Sequence, residues 1–164
     1  MPTTQTAPTL HLITGLPGAG KTTRARRVLA ETGGVLLSPD DWLARLNISL
    51  VDYEFRFRLQ DCLLSHAGDL LRAGVDVVIE FGSWSRAERE TIRLVAVDAG
   101  AKTTLHFADA PVPELARRVR ARGGSDAEAL AELLETTWQN YERPTQEEID
   151  GFDNFEGPTT AWLA

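Results

Sequence analysis

Short unbroken apolar runs alternate along this chain with longer stretches in which apolar residues recur every three or four positions. The runs Leu10–Thr14, Val35–Leu37, Val75–Phe81 and Thr104–Ala108 are too short for ordinary helices and predict strands. Val77-Val78-Ile79 within the third run suits a parallel strand buried on both faces. Between these runs, Thr22–Glu31, a segment opening at Ser38, Tyr53–Arg72, a segment opening at Ser85, Glu114–Arg122 and Ser125–Arg143 read as helices. In Tyr53–Arg72, the residues Phe55, Leu59, Cys62, Leu63, Leu70 and Leu71 share one face, so Cys62 is expected to be a buried, inert thiol. Leu130, Leu133, Leu134, Trp138 and Tyr141 form a stripe on the last predicted helix, which Pro144 ends. Strands alternating with helices predict an α/β fold, a parallel sheet with helices on both faces.

Local punctuation agrees with that division. Ser38 is placed to cap a helix with Pro39 at its first position, and Ser85-Arg86-Ala87-Glu88 has the capping-box pattern. Ala73-Gly74 and Gly123-Gly124 are stop signals. Residues 1–9, rich in Thr and Pro, are expected to be a loose tail before one domain spanning 10–164. Asp150 to Pro158 sets two aromatics among turn residues and is expected to dock onto the core.

The 164 residues suit a single core, and their 43% hydrophobic content is ordinary for a folded soluble protein. A net charge of −7 disfavours binding to long nucleic acid. With Cys62 the one cysteine, no disulfide can form within the chain. No apolar run is long enough to cross a membrane, and residues 1–9 have no hydrophobic signal core, so a cytoplasmic location is expected. His11, His66 and His106 lack metal-ligand spacing and read as structural. The stripe from Leu130 to Tyr141 suits core or interface, which leaves the oligomeric state open.

The densest chemistry follows the first strand. Gly15-Leu16-Pro17-Gly18-Ala19-Gly20-Lys21-Thr22 is a complete G-x-x-x-x-G-K-[ST] phosphate-binding loop between a predicted strand and a predicted helix. Its glycines let successive N–H groups turn toward phosphate oxygens, and the helix adds its positive end. Gly15, Pro17, Gly18, Ala19, Gly20, Lys21, Thr22 and Thr23 are therefore the candidate nucleotide-binding set. Lys21 is expected to reach the β- and γ-phosphates, and Thr22 to offer its hydroxyl to Mg²⁺. Ligands of parallel sheets bind at the carboxyl ends of strands, which gathers this loop, Ser38–Asp41, Glu80–Trp84 and Asp109 on one rim. The chain has no Asn-Lys-x-Asp guanine-reading segment, which favours ATP.

Three stretches together resemble the small P-loop kinases sometimes labelled AAA-type ATP-binding proteins. They are Leu12–Thr23, Leu37-Ser38-Pro39-Asp40-Asp41-Trp42, and Val77–Arg89 with its Ile79-Glu80-Phe81-Gly82 core. The resemblance ends near Leu115–Arg122, and the family includes chloramphenicol phosphotransferase, the kinase domain of phage polynucleotide kinase and zeta toxin. It implies transfer of the ATP γ-phosphate to a hydroxyl, with Asp40 matching the acidic residue that acts on the acceptor. It implies an arginine-rich lid in which Arg118 and Arg122, one helical turn apart, close over the nucleotide as catalytic partners of Lys21. Glu80 stands where relatives commonly carry Asp, and is a candidate Mg²⁺ helper. Trp42, Arg45, Trp84, Arg86 and Arg89 are candidates to line the acceptor pocket, Arg89 being the best matched.

Each of these residues also has a structural reading. Asp40 and Asp41 suit a helix N-terminus, arginines before Gly123-Gly124 suit a helix C-terminus, and both tryptophans suit packing. The expected activity is ATP-dependent phosphorylation of a small-molecule hydroxyl, such as an antibiotic, nucleoside or sugar. The rivals are a nucleoside or polynucleotide 5′-hydroxyl kinase and a non-catalytic ATP-dependent binding switch.

Overall fold

A computed structural model describes residues 6–50, 52–125 and 127–158. The expected tail falls partly outside them, at residues 1–5. Its last residues are tied to the sheet: Pro8 O accepts from Lys102 N at 2.8 Å, and Thr9 N donates to Asp76 Oδ1 at 2.7 Å.

Five parallel strands form the sheet: β1 (Thr9–Thr14), β2 (Val35–Leu37), β3 (Val77–Gly82), β4 (Lys102–Phe107) and β5 (Asn154–Glu156). Their order is β2-β3-β1-β4-β5. β1 thus sits between β3 and β4; the chain passes beyond β3 to β2, returns to β3 and then crosses to β4, and the loop after β1 opens at that switch of direction. Between the strands run α1 (Lys21–Thr32), α2 (Pro39–Arg45), α3 (Tyr53–Arg72), α4 (Arg86–Asp98), α5 (Val112–Arg122), α6 (Ala127–Thr137) and α7 (Gln146–Ile149).

Ile13 and Val78 meet Ala25 and Val28 of α1 on one face of the sheet. Leu10, Leu12, Val77, Ile79 and Phe81 meet α3 and α4 on the other. A further cluster joins Leu16 and Phe107 to Leu115, Val119, Ala131 and Leu134, so α5 and α6 pack as a pair beside the phosphate loop. No helix among the described residues is long and apolar enough to cross a membrane.

Two expectations need correction. Cys62 is exposed, because the buried stripe of α3 runs through Leu63, Ala67, Gly68 and Leu71 instead. The helix expected over Ser125–Arg143 stops at Thr137 and passes through a 3₁₀ turn at Trp138–Asn140. Thr136 and Thr137 turn their hydroxyls back onto the carbonyl of Leu133, and Tyr141 leaves in extended conformation toward the core. The docking expected of Asp150–Pro158 takes a specific form, the edge strand β5, which pairs Phe155 with Leu105.

Candidate nucleotide and phosphotransfer site

The loop between β1 and α1 is shaped by what its glycines cannot exchange for a side chain. At Gly15, with φ +152°, a Cβ would lie 2.3 Å from Ala108 O; at Gly18, with φ +81°, it would lie 2.7 Å from Leu115 O. Gly20 meets no atom but has φ +92° and caps α1 with no side-chain hydrogen bond. No side chain caps the first amides of α1, the arrangement in which a helix N-terminus can accept an anion. Pro17 is half-buried, and Ala19 N closes the turn on Leu16 O at 3.2 Å.

Lys21 folds back over this loop, its Nζ donating to Leu16 O at 3.0 Å. Burial lowers its pKa to about 8; Glu80 and Asp40 oppose that shift, while Arg122 and Arg56 add to it. Thr22 Oγ1 donates to Glu80 Oε1 at 2.8 Å, and Thr23 is exposed beside it. Glu80 titrates above the usual carboxylate range, chiefly through burial, with Asp40 and Asp41 pushing the same way against Thr22 and Lys21. Among the described residues no three His, Cys, Asp or Glu groups could enclose a metal ion by themselves. The hydroxyl and carboxylate oxygens of Thr22 and Glu80 do suit Mg²⁺, which commonly takes few protein ligands and completes its shell with phosphate and water.

Asp40 lies in the first turn of α2 and is exposed, and Arg56 of α3 pairs with it. Sequence reasoning missed Arg56, which belongs to no motif and reaches the site only through the packing of α3. Arg118 bonds Glu114 at 2.8 Å and also reaches Gly18 O at 3.4 Å. Arg122 makes no hydrogen bond or ion pair among the described residues. Arg120 points elsewhere, joining α5 to Glu128 and Glu135 of α6, and Arg117 pairs with Glu114.

The residues expected around an acceptor separate. Trp42 is 45% exposed two residues beyond Asp40, and Arg45 is exposed at the end of α2. Trp84 packs edge-on against Tyr141, with ring centroids 6.1 Å apart. Arg86 pairs at the surface with Glu147. Arg89 does not line a pocket: it is fully buried, pairs with Glu148 at 2.5 and 2.9 Å, and donates to Ser83 O at 3.0 Å.

Tyr141, expected on the helical stripe from Leu130, lies beyond the end of α6 and reaches the ends of β1 and β3 instead. Its hydroxyl lies 2.9 Å from Thr14 Oγ1, and that threonine donates to Ser83 O at 3.1 Å, tying the ends of β1 and β3 together. Burial pushes the phenol up to about 12. His11 Nδ1 and His106 Nε2 pair at 3.0 Å across neighbouring strands below the site, while His66 is exposed.

Comparison with solved structures returns the same architecture. A sugar kinase from Janibacter sp. HTCC2649 is 20% identical with a TM-score of 0.63, over 95% of this chain and 94% of that one. The Mycobacterium tuberculosis APS kinase CysC, solved with AMPPNP and APS, is 23% identical with a TM-score of 0.63, over 93% and 90%. A chain of the Pnkp1/Rnl/Hen1 RNA repair complex is 23% identical with a TM-score of 0.63 over 86% of this chain. This chain spans less than half the length of the chains it matches in two structures of that complex, 41% and 48%. At these identities the likeness is one of fold, that of P-loop NTPases. No curated protein matches the sequence. A family model described as AAA domain matches residues 10–144, most of the chain and all of the loop, Asp40, Glu80 and the α5 arginines. The chain belongs to that AAA-domain family of small P-loop proteins, whose fold is shared with kinases.

Proposed function

We propose that this protein is a cytoplasmic, ATP-dependent phosphotransferase that moves the γ-phosphate to a hydroxyl of a small molecule. The observation that carries this reading is the phosphate loop with Lys21 folded over it, Thr22 bonded to Glu80 at 2.8 Å, and the Asp40–Arg56 pair whose charges reach Lys21. A cation over the loop, a carboxylate bonded to Thr22, a second carboxylate and two arginines near Lys21 support this reading. Phosphoryl transfer needs those parts and little covalent chemistry from the protein.

In this reading the loop amides and Lys21 bind and orient the phosphates, with Arg118 and Arg122 as the lid. Thr22 and Glu80 hold Mg²⁺, which when bound neutralises charge on the phosphate oxygens. Arg56 steadies the Asp40 carboxylate, which accepts the acceptor's proton as its oxygen bonds to the γ-phosphorus. The bond to the β–γ bridging oxygen breaks, and ADP departs with that oxygen. Neighbours named as sugar and APS kinases support a small acceptor. The neighbour from an RNA repair complex supports a 5′-hydroxyl of a nucleic acid as the second reading, against which the net charge of −7 weighs.

The test is transfer of labelled γ-phosphate from ATP to antibiotics, nucleosides, oligonucleotides and sugars, with Lys21→Ala and Asp40→Asn alongside. A labelled product lost in both variants is expected. ATP binding without transfer to any acceptor would favour a nucleotide-driven binding switch instead.

A further inference from the structure

A cleft of about 180 Å³ opens between α3 and α4 at the carboxyl end of β3. Phe57, Leu64 and Phe81 give it an apolar wall, while Asp61 and Glu88 give it carboxylates; no Lys, Arg or His lines it. Asp61 is exposed and has no hydrogen bond or ion pair among the described residues. Glu88 spends one oxygen, Oε2, on both capping contacts with Ser85, at 2.8 and 2.9 Å, and Oε1 keeps no partner among the described residues.

Ser83 supplies the independent observation. It lines the cleft and is 5% exposed, yet its Oγ has no hydrogen-bond partner among the described residues. A buried hydroxyl left unpaired is costly. Its backbone is fixed, since Ser83 O accepts from Arg89 and Thr14, and the residue is held at φ +48°. The hydroxyl is thus buried at a lined cavity with capacity unused.

We propose that this cleft takes a protonated amine on a partly apolar body, making the phosphate acceptor an amine-bearing hydroxyl compound. The identification as an acceptor rests on the phosphotransferase reading above. An ammonium group has three donors and no acceptor, which suits the oxygens of Asp61, Glu88 and Ser83. Phe57 and Phe81 add aromatic surface that tolerates a cation and favours hydrocarbon. Phosphate and carboxylate groups meet only like charge there, and a hydrated metal ion gains nothing from the apolar wall. Gln60, which lines the cleft, follows Arg56, the partner of Asp40, by one turn of α3, or about 6 Å along the axis.

The probes are phenethylamine and its neutral and acidic counterparts, 2-phenylethanol and phenylacetate, titrated calorimetrically into the full chain near neutral pH. The amine should bind about tenfold more tightly than the alcohol, and the acid least. Asp61→Asn, at an exposed position without partners, should remove most of that preference and leave binding of the alcohol unchanged. Equal binding of amine and alcohol, no binding of the amine, or a preference that survives Asp61→Asn combined with Glu88→Gln would overturn the proposal. Labelled transfer from ATP to phenylalaninol and to 3-phenyl-1-propanol separates the two readings. Asp61-dependent amine binding with no labelled product would keep the cleft and remove its role in presenting an acceptor, whereas equal labelling of both alcohols would keep the kinase and remove the amine preference.

Discussion

Thr22 and Glu80, 58 residues apart in sequence, are joined by a 2.8 Å hydrogen bond from hydroxyl to carboxylate at the mouth of the phosphate loop. The bond links the first turn of α1 to β3 and puts the candidate metal oxygens side by side. Glu80 titrates high because it is buried, and it keeps a carboxylate next to a phosphate site, where it repels the nucleotide unless a cation intervenes. Glu80→Gln should therefore bind metal-free ATP at least as tightly as the parent. It should also need about tenfold more Mg²⁺ for half-maximal turnover. An unchanged Mg²⁺ requirement would remove Glu80 from the metal site.

The lowered pKa of Lys21 makes nucleotide binding sensitive to pH. In the free protein its ammonium group is lost near pH 8. Phosphate oxygens favour the charged form, so binding takes up a proton above that pH and affinity falls as pH rises through it. Log Kd for ATP should climb with a slope approaching about one per pH unit above that point. Lys21→Arg should flatten the climb, since arginine stays charged. Titrations in two buffers of different ionisation heat would detect the proton; a level Kd into the alkaline range would refute the assignment.

The loop glycines should fail in a definite order. Gly15→Ala forces a Cβ to 2.3 Å from Ala108 O and Gly18→Ala to 2.7 Å from Leu115 O, in both cases against backbone that cannot swing aside. Gly20→Ala meets no atom and carries only the strain of φ +92°. Gly20→Ala is expected to cost about 1 kcal/mol and the other two about 2–3 kcal/mol or more. Chemical denaturation of the three variants decides it; equal losses would mean that backbone conformation, not crowding, limits all three positions.

The histidine pair gives the fold an acid limb. Burial lowers the His106 pKa to about 4, with His11 adding to the shift and Glu156 opposing it, and burial lowers His11 as well. Between about 4 and the ordinary value of 6.5 the unfolded chain binds more protons than the folded one. The pair's contribution to stability is thus complete above about pH 6.5 and is lost as pH falls through that window. His106→Gln should shallow the fall of Tm over this range, and a parallel fall in both proteins would place the acid sensitivity in the carboxylates instead.

The parts of this fold that sequence made legible are those decided locally. Tyr53–Arg72 is a helix with the expected ends, and the capping box of Ser85 and Glu88 forms with both of its hydrogen bonds. The loop from Gly15 to Thr22 announces itself because its chemistry demands neighbouring residues in a fixed spacing. Arg56 does not, because only the packing of α3 brings it to Asp40; Tyr141 and Ser83 were legible as stripe and rim residues, but their bonds through Thr14 were not, because Thr14 lies far along the chain from both. Strand β5 was equally silent: three residues, only one of them apolar, become a strand because β4 offers an unpaired edge. Cys62 shows the same limit, since periodicity finds a stripe on α3 but not its edge.

Arg89 separates a structural role from a catalytic one. Its guanidinium is buried with Glu148 on two hydrogen bonds, its third contact is Ser83 O, and it lies 5.8 Å from the centre of the Tyr141 ring. Removing one partner strands the other charge without water, whereas keeping both holds α4 and α7 against the end of β3. Arg89→Ala should cost about 3–5 kcal/mol, and Glu148→Ala should cost a similar amount. Replacing the pair together, Arg89→Met with Glu148→Leu, should recover much of that loss because no lone charge remains. Turnover in the double variant provides the sharper readout. If Arg89 acts only through the scaffold, KM for the acceptor returns toward the parent value as stability returns. If it touches the acceptor after a rearrangement, KM stays high in a protein that folds well.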